Sequence, residues 1–425
     1  MATRLYDVEF RFDPKNYPGE IQTIGLMGEF LFYKSELTGH TDKTGMVALT
    51  GQGMRTLPVT KYVPAQYEDG MCSIGGQYYQ EMTFDVAEGV YKTWLKLPAG
   101  LYGYGFGINL DFREPAEGEP AFFTIRVDDG RDLVIDGDMR EILFSGKQVV
   151  CDPENPPLNS TLTGLQQKSP LYVGMAKDHP EMPWLPPEKV HESLGTVAYI
   201  SYRDVDWKLQ SLGIYLPPTF TREKTYPVIY VSHGGGGNEA DWFSQGGIHH
   251  IMENLINWGK TEEAILVTMN NSVYPDPEGA YPWNFKKLAK NLIECVIPFV
   301  EMIFPVARDP EHRAFCGLSM GGMTTAYMYY HHSEYFKYYG AFSGGFSDGV
   351  NYTIDDPNLA NCYCLVGCGE KDFAYNGDEI GTPGMVKRLE EAGLPHEAYY
   401  VPGSHDWFTW PQLFSYFAEN VIWKK

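Results

Sequence analysis

The chain has 425 residues, 43% hydrophobic and 21% charged, a mix that excludes wholesale disorder and a length that suits two or three domains. With 33 Lys and Arg against 55 Asp and Glu, the formal net charge of −22 repels phosphate polyanions and anionic lipid surfaces, so neither nucleic acid nor a membrane is expected as partner. No apolar stretch reaches the ~18 residues of a spanning helix, and 45 Gly with 29 Pro point to many turns rather than a helical bundle.

Residues 1–150 read as all-β. The runs 6–12, 89–97, 100–108 and 121–127 carry period-two alternation between turn residues, as half-buried strands do, and predict an immunoglobulin-like β-sandwich. Two proline clusters, at 153–157 and 183–187, bracket a polar stretch and predict a linker over 151–190 lying on the surface. From 191 to 425 strands and helices alternate. Strands are expected at 228–232, 264–268, 313–317, 338–342, 362–366 and 397–401, and helices at 288–304, 321–331 and 385–392. That order predicts an α/β domain with a mostly parallel central sheet covered on both faces. Three of the seven cysteines, Cys362, Cys364 and Cys368, share one apolar run and read as buried free thiols, since no finger-like Cys or His pair accompanies them to make a zinc site. The N-terminus lacks the apolar core of a secretory signal, which with the odd cysteine count suggests a reducing compartment, the cytoplasm.

The strongest chemical signal is Gly317-Leu318-Ser319-Met320-Gly321, a G-x-S-x-G string between a predicted strand and a predicted helix. A turn this tight needs small flanking residues, hence Gly317 and Gly321, and it lifts the Ser319 hydroxyl out of the sheet as a nucleophile. A serine hydroxyl needs a base. Of the 11 His, only His396 and His405 follow the strand expected at 362–366. His405 lies in the loop after the last strand, where the base belongs, whereas His396 precedes that strand at its opposite end. His249, His250, His331 and His332 lie upstream on predicted helices and read as packing or surface residues. The acid is expected just past the 362–366 strand, where Asp372 is the candidate and Glu370 and Asp378 compete with it. A glycine loop, His233-Gly234-Gly235-Gly236-Gly237-Asn238, follows the 228–232 strand and is suited to supply an oxyanion-hole N–H, Gly letting the backbone approach closely. The candidates are the N–H groups of Gly235 and Met320, with Gly234 and Gly236 as alternatives to Gly235. The loop matches neither a Walker phosphate loop nor G-x-G-x-x-G, and His233 reads as a structural hydrogen-bonding residue.

Together the stretch 226–242, the stretch 316–322 and Gly403-Ser404-His405-Asp406-Trp407 resemble the esterase-D-like α/β-hydrolases, which include the feruloyl and acetyl-xylan esterases of carbohydrate esterase family one. The resemblance spans about 191–425. It implies a Ser319–Asp372–His405 triad with Met320 and the glycine loop as oxyanion hole, and an early-set, glycogen-binding-like β-sandwich in front, which matches 1–150. Residues 33–80 exceed what such a sandwich needs and are expected as an insertion. The aromatic loop 270–285 is expected at the active-site rim. Trp407, Trp283 and Tyr281 are the candidates for stacking a phenolic acyl group or a sugar face, and Phe408 and Trp410 follow close behind.

The activity expected is hydrolysis of hydroxycinnamoyl (feruloyl-type) esters of sugars or small alcohols through an acyl-enzyme, with no metal and no cofactor. The alternatives on the same scaffold are an acetyl- or acyl-sugar esterase, an enterochelin-type siderophore esterase and an acyltransferase. The partner expected is a small-molecule or oligosaccharide ester, with a homo-oligomer left open.

Overall fold

The computed structural model describes residues 4–28, 30, 32–34, 71–73, 78–113, 122–126, 132–136, 141–143, 149–156, 168–188, 194–275, 284–344, 354–370, 372–375, 381–403 and 405–424. Among these residues no helix is long and apolar enough to cross a membrane.

The N-terminal region is strand-rich, and two of its sheets share a core. Leu5–Phe12 pairs antiparallel with Val90–Pro98, whose other edge takes Thr83–Asp85. Gly100–Ile108 is the centre of the second sheet. Ile24–Gly28 lies on one side of it, backed by Tyr78–Glu81, and Val149–Val150 and Ser169–Val173 lie end to end on the other. Phe10, Phe12, Leu95 and Leu97 of the first sheet meet Leu26, Tyr104, Phe106 and Ile108 of the second in one cluster. Alternation explains the selection: Leu95 and Leu97 point in, while Lys96 between them is exposed and Trp94 just before them is 58% exposed. Most of the insertion expected at 33–80 lies outside the described residues.

The stretch expected as a surface linker, 151–190, departs from that reading. Ser169–Val173 completes the second N-terminal sheet, and Ala176, Trp184 and Leu185 are buried in a cluster with Trp242, Ile248 and Ile251 of the C-terminal half. Asn254 donates from Nδ2 to the carbonyls of Pro183 and Leu185, at 2.7 and 2.8 Å. Proline density announces irregular backbone, and here that backbone is buried with its carbonyls satisfied by a side chain.

The C-terminal half is one eight-stranded sheet. Its strands are β1 (Thr196–Arg203), β2 (Leu209–Leu216), β3 (Val228–Ser232), β4 (Ile265–Met269), β5 (Arg313–Leu318), β6 (Tyr338–Phe342), β7 (Tyr363–Gly369) and β8 (His396–Val401). They lie in the order β1-β2-β4-β3-β5-β6-β7-β8, with the β1–β2 and β2–β4 pairs antiparallel and every later pair parallel. Every residue of β3 to β6 is buried, because helices cover both faces, and this is why those strands read as unbroken apolar runs. His396 opens β8 rather than preceding it.

The helices are α1 (Asp241–Ser244), α2 (Ile248–Asn257), α3 (Phe285–Asn291), α4 (Ile297–Ile303), α5 (Met320–His331), α6 (Thr382–Glu391) and α7 (Trp410–Tyr416). The single helix expected over 288–304 is α3 and α4 joined through a π-helical turn, Leu292–Val296. Pro298 has no N–H to give and its ring crowds the carbonyl four residues back, and the widened turn just before it accommodates both. Cys362, Cys364 and Cys368 are buried free thiols, as expected, with burial pushing each thiol pKa up.

Candidate active site

Register sets the site. Ser232 at the end of β3 lies beside Met269 of β4 and Gly317 of β5, and Phe342 at the end of β6 lies beside Leu318 of β5 and Gly367 of β7. The loops after β3, β4, β5 and β6 therefore leave the sheet at nearly one level, on the edge formed by the strand C-termini.

Ser319 follows β5 at φ 52° and ψ −117°, a conformation L residues rarely adopt, and its N–H donates to Phe342 O at 2.8 Å. The glycines around it are required by contact. A Cβ on Gly317 would lie 2.6 Å from Gly321 O, and one on Gly321 would lie 2.5 Å from Ser232 O. Strand, turn and helix are thus pressed together, and the hydroxyl is held above the sheet edge.

His405 and Asp372 arrive from the far strands. Asp372 follows β7, with a buried side chain whose Oδ1 accepts from Ala374 N at 2.8 Å. His405 lies in the loop after β8, with Nδ1 2.9 Å from Asp372 Oδ1 and Nε2 2.9 Å from Ser319 Oγ. Nδ1–H donates to the carboxylate in this arrangement, leaving Nε2 to accept the serine proton. Of the competing acids, Glu370 is exposed, with its N–H bound to Val401 O, and Asp378 lies outside the described residues.

The glycine loop borders the nucleophile turn. A Cβ on Gly234 would lie 3.4 Å from Ser319 Cβ, and one on Gly235 would lie 3.5 Å from Met320 Cγ, whereas Gly236, at φ +75°, faces open space. Met320 is the first residue of α5, so its N–H has no acceptor within the helix. The loop is fixed from below. His233 donates from Nδ1 to Gly234 O at 2.6 Å and accepts from Asn271 N at Nε2, at 2.9 Å. Burial pushes its pKa down to about 4, so the ring is neutral, and the expected structural role fits its bonds. Ser272 Oγ donates to Gly237 O at 3.0 Å, and the half-buried Asp241 carboxyl accepts from Asn238 N at 3.1 Å. Burial pushes Asp241 up to about 7.

Trp407 is half-buried and packs edge-to-face on Trp242 and Trp410, with ring centroids 5.3 and 5.0 Å apart. Tyr281 and Trp283 lie outside the described residues. Trp410 has a different place from the one its sequence suggested. It is buried, its ring stands at 88° to that of His405 with centroids 5.2 Å apart, and its Nε1–H donates to Ser343 Oγ at 2.9 Å. Ser343 in turn follows β6 at φ 50°, with its N–H on Gly367 O. This tie between the segment after the base and the loop after β6 has one signal in the sequence, a Trp at the first position of the helix after the base. Its partner Ser343 has none.

Residues 208–418 match the family model described as putative esterase, and this half of the chain has the α/β-hydrolase fold. An endo-1,4-beta-xylanase/feruloyl esterase of Xylanibacter ruminicola is 32% identical over 222 residues, 51% of this chain and 30% of that protein. The chain spans less than a third of the length of the curated relatives it matches. Among solved structures, a ferulic acid esterase from Anaeromyces mucronatus, in complex with ferulic acid, is 24% identical over 55% of this chain and 93% of that one, with a TM-score of 0.46. The enterobactin esterase of Shigella flexneri is 12% identical but aligns over 98% of this chain and 95% of its own, with a TM-score of 0.50. That last likeness is one of fold, and it extends over the N-terminal region as well as the hydrolase half.

Proposed function

We propose that the chain hydrolyses carboxylic esters through an acyl-enzyme on Ser319, with His405 as base and Asp372 as its orienting acid, and that its substrates are hydroxycinnamoyl (feruloyl-type) esters of sugars or small alcohols. The observation that carries the chemistry is the line from Ser319 Oγ through the His405 ring to Asp372 Oδ1, with both hydrogen bonds 2.9 Å long. His405 takes the serine proton as Oγ attacks the ester carbonyl. The N–H groups of Met320 and Gly235 meet the oxyanion, a stabilisation of several kcal/mol in such sites. His405 then protonates the leaving alcohol, and a water molecule activated by the same nitrogen releases the acid. Asp372 holds the tautomer and offsets the imidazolium charge without taking its proton.

The acyl class takes its support from the relatives' names, and from the half-buried Trp407 beside the base, whose ring suits a planar phenolic group. The strand-rich N-terminal region is read as an early-set β-sandwich packed on the hydrolase half. A second reading, an aromatic siderophore ester, takes its support from the whole-length fold likeness to an enterobactin esterase. Product release from methyl ferulate, a feruloylated arabinoxylan oligosaccharide, p-nitrophenyl acetate and enterobactin decides among them. Preferential ferulate release that disappears in Ser319→Ala is the expected result. Release from the acetate alone would move the substrate to small acyl groups, and turnover surviving in Ser319→Ala would sink the mechanism.

A further inference from the structure

The turn between β1 and β2 presents an aromatic ring that the fold does not use. Trp207 is 79% exposed, at φ 59°, on a turn held by far more bonds than a surface hairpin needs. Asp204, buried beneath it, accepts from the N–H groups of Asp206 and Lys208 at 2.9 and 2.8 Å, from Gln210 Nε2 at 2.9 Å and from Tyr274 OH at 2.9 Å. Arg203 Nη1 donates to Trp207 O at 3.0 Å, and Lys287 pairs with Asp206. A bulky residue in a left-handed backbone conformation costs free energy, and an exposed indole gains nothing from burial, so the rigid turn holds the ring out at the expense of stability. Beside it runs a groove of about 690 Å³ with Leu209, Phe299 and Met302 as its apolar surface and a lining in which Arg203 and Lys290 balance Asp204 and Glu294. The groove also borders the π-helical turn, a departure from regular helix that recurs at functional positions.

Its position gives it a ligand. β2 runs antiparallel to β4, with Leu212 beside Met269, so the hairpin projects from the same sheet edge as the loops around Ser319. Tyr274, which bonds Asp204, stands in the loop whose Asn271 N–H bonds His233. β2 is three places from β5 in the sheet, and at ~4.8 Å per strand the hairpin is roughly 15 Å from the nucleophile turn. A short oligosaccharide bridges that span and a single sugar does not.

We propose that the Trp207 groove is a distal subsite for the carbohydrate chain of the ester substrate, in which the indole stacks on the apolar face of a sugar ring while the Arg203 and Glu294 side chains take its hydroxyls. The neutral ligand suits a rim of balanced charge on a chain of net charge −22. The proposal rests on the reading that the ester's alcohol half is a sugar.

The test compares wild type with Trp207→Gly, a substitution that suits the positive φ and leaves the turn intact. KM for a feruloylated arabinoxylan oligosaccharide should rise about tenfold with kcat unchanged, and both constants for methyl ferulate should stay at the wild-type values. Affinity electrophoresis in unesterified arabinoxylan is independent of ester cleavage. The wild-type protein should be retarded, and Trp207→Gly should run free. Equal KM values and equal mobility in the two proteins would overturn the subsite. So would a change of oligomeric state in Trp207→Gly, since the groove would then be an interface between proteins. If wild type releases no ferulate from any substrate yet is retarded by the glycan through Trp207, the subsite stands and the ester class falls.

Discussion

The two halves of the molecule use β-structure in opposite ways. In the N-terminal region a strand such as Val90–Pro98 has one wet face, so its residues alternate between buried and exposed. In the hydrolase half β3, β4, β5 and β6 are dry on both faces and carry no exposed side chain. A strand with a wet face can offer side chains along its whole length. A strand covered on both sides has only its ends, and the register of Ser232, Met269 and Gly317 brings those ends together. The hydrogen-bonded Ser319, His405 and Asp372 therefore collect on one edge of the eight-stranded sheet, and the region before it contributes packing through Ala99, Ala176, Trp184 and Leu185.

The largest effect that sharpens this contrast is at the acid. Asp372→Asn should cut kcat by about 10⁴, because the amide favours the wrong imidazole tautomer, while Glu370→Gln on its exposed turn should change it less than twofold. Steady-state rates on methyl ferulate check both, and the reverse ranking would reassign the acid. Gly321→Ala is next. Its Cβ would lie 2.5 Å from Ser232 O with backbone on every side, so the nucleophile turn must open. Activity should fall by roughly 10²-fold or more, as for a misplaced reacting atom, with a lowered Tm by calorimetry. A fully active Gly321→Ala would mean that the sheet edge is not close-packed.

Leu185→Ala tests the packing half. The side chain is wholly buried between the two regions, so its removal should cost about 2–5 kcal/mol in denaturant unfolding, with kcat preserved in the folded fraction. No stability change would restore 151–190 to the surface linker that its prolines suggest. The smallest effect is at Asp241, whose carboxyl is pushed from 3.8 up to about 7 by burial. The folded state holds this proton where the unfolded chain has lost it, so this group's penalty is absent below pH 4, grows between pH 4 and 7, and is complete above. Asp241→Asn keeps an oxygen for Asn238 N–H and removes the charge. Its Tm should match wild type near pH 4 and exceed it by a few degrees, about 2–5 °C, at pH 8. A constant offset across that range would show that the carboxyl does not titrate there.

Local pattern accounts for most of the strands of the hydrolase half. Strands β3 to β7 were legible because burial on both faces writes an apolar run bounded by turn residues, and β3 and β6 occupy the expected residues 228–232 and 338–342. That Ser319, Asp372 and His405 come within hydrogen-bond reach was legible for a related reason. Each must follow a strand end, the turn at Ser319 admits only small neighbours, and few titratable residues stand in the right order. Only the tertiary structure decided what depends on contacts between segments distant in the chain. Trp410 reaches Ser343 across 67 positions, Asn254 caps the carbonyls of Pro183 and Leu185, and Asp204 collects Tyr274 from 70 positions away. Periodicity and turn chemistry are local, so they fix which residues form an element and where it ends. Which buried polar group meets which is set by how the elements pack, and no local pattern records it.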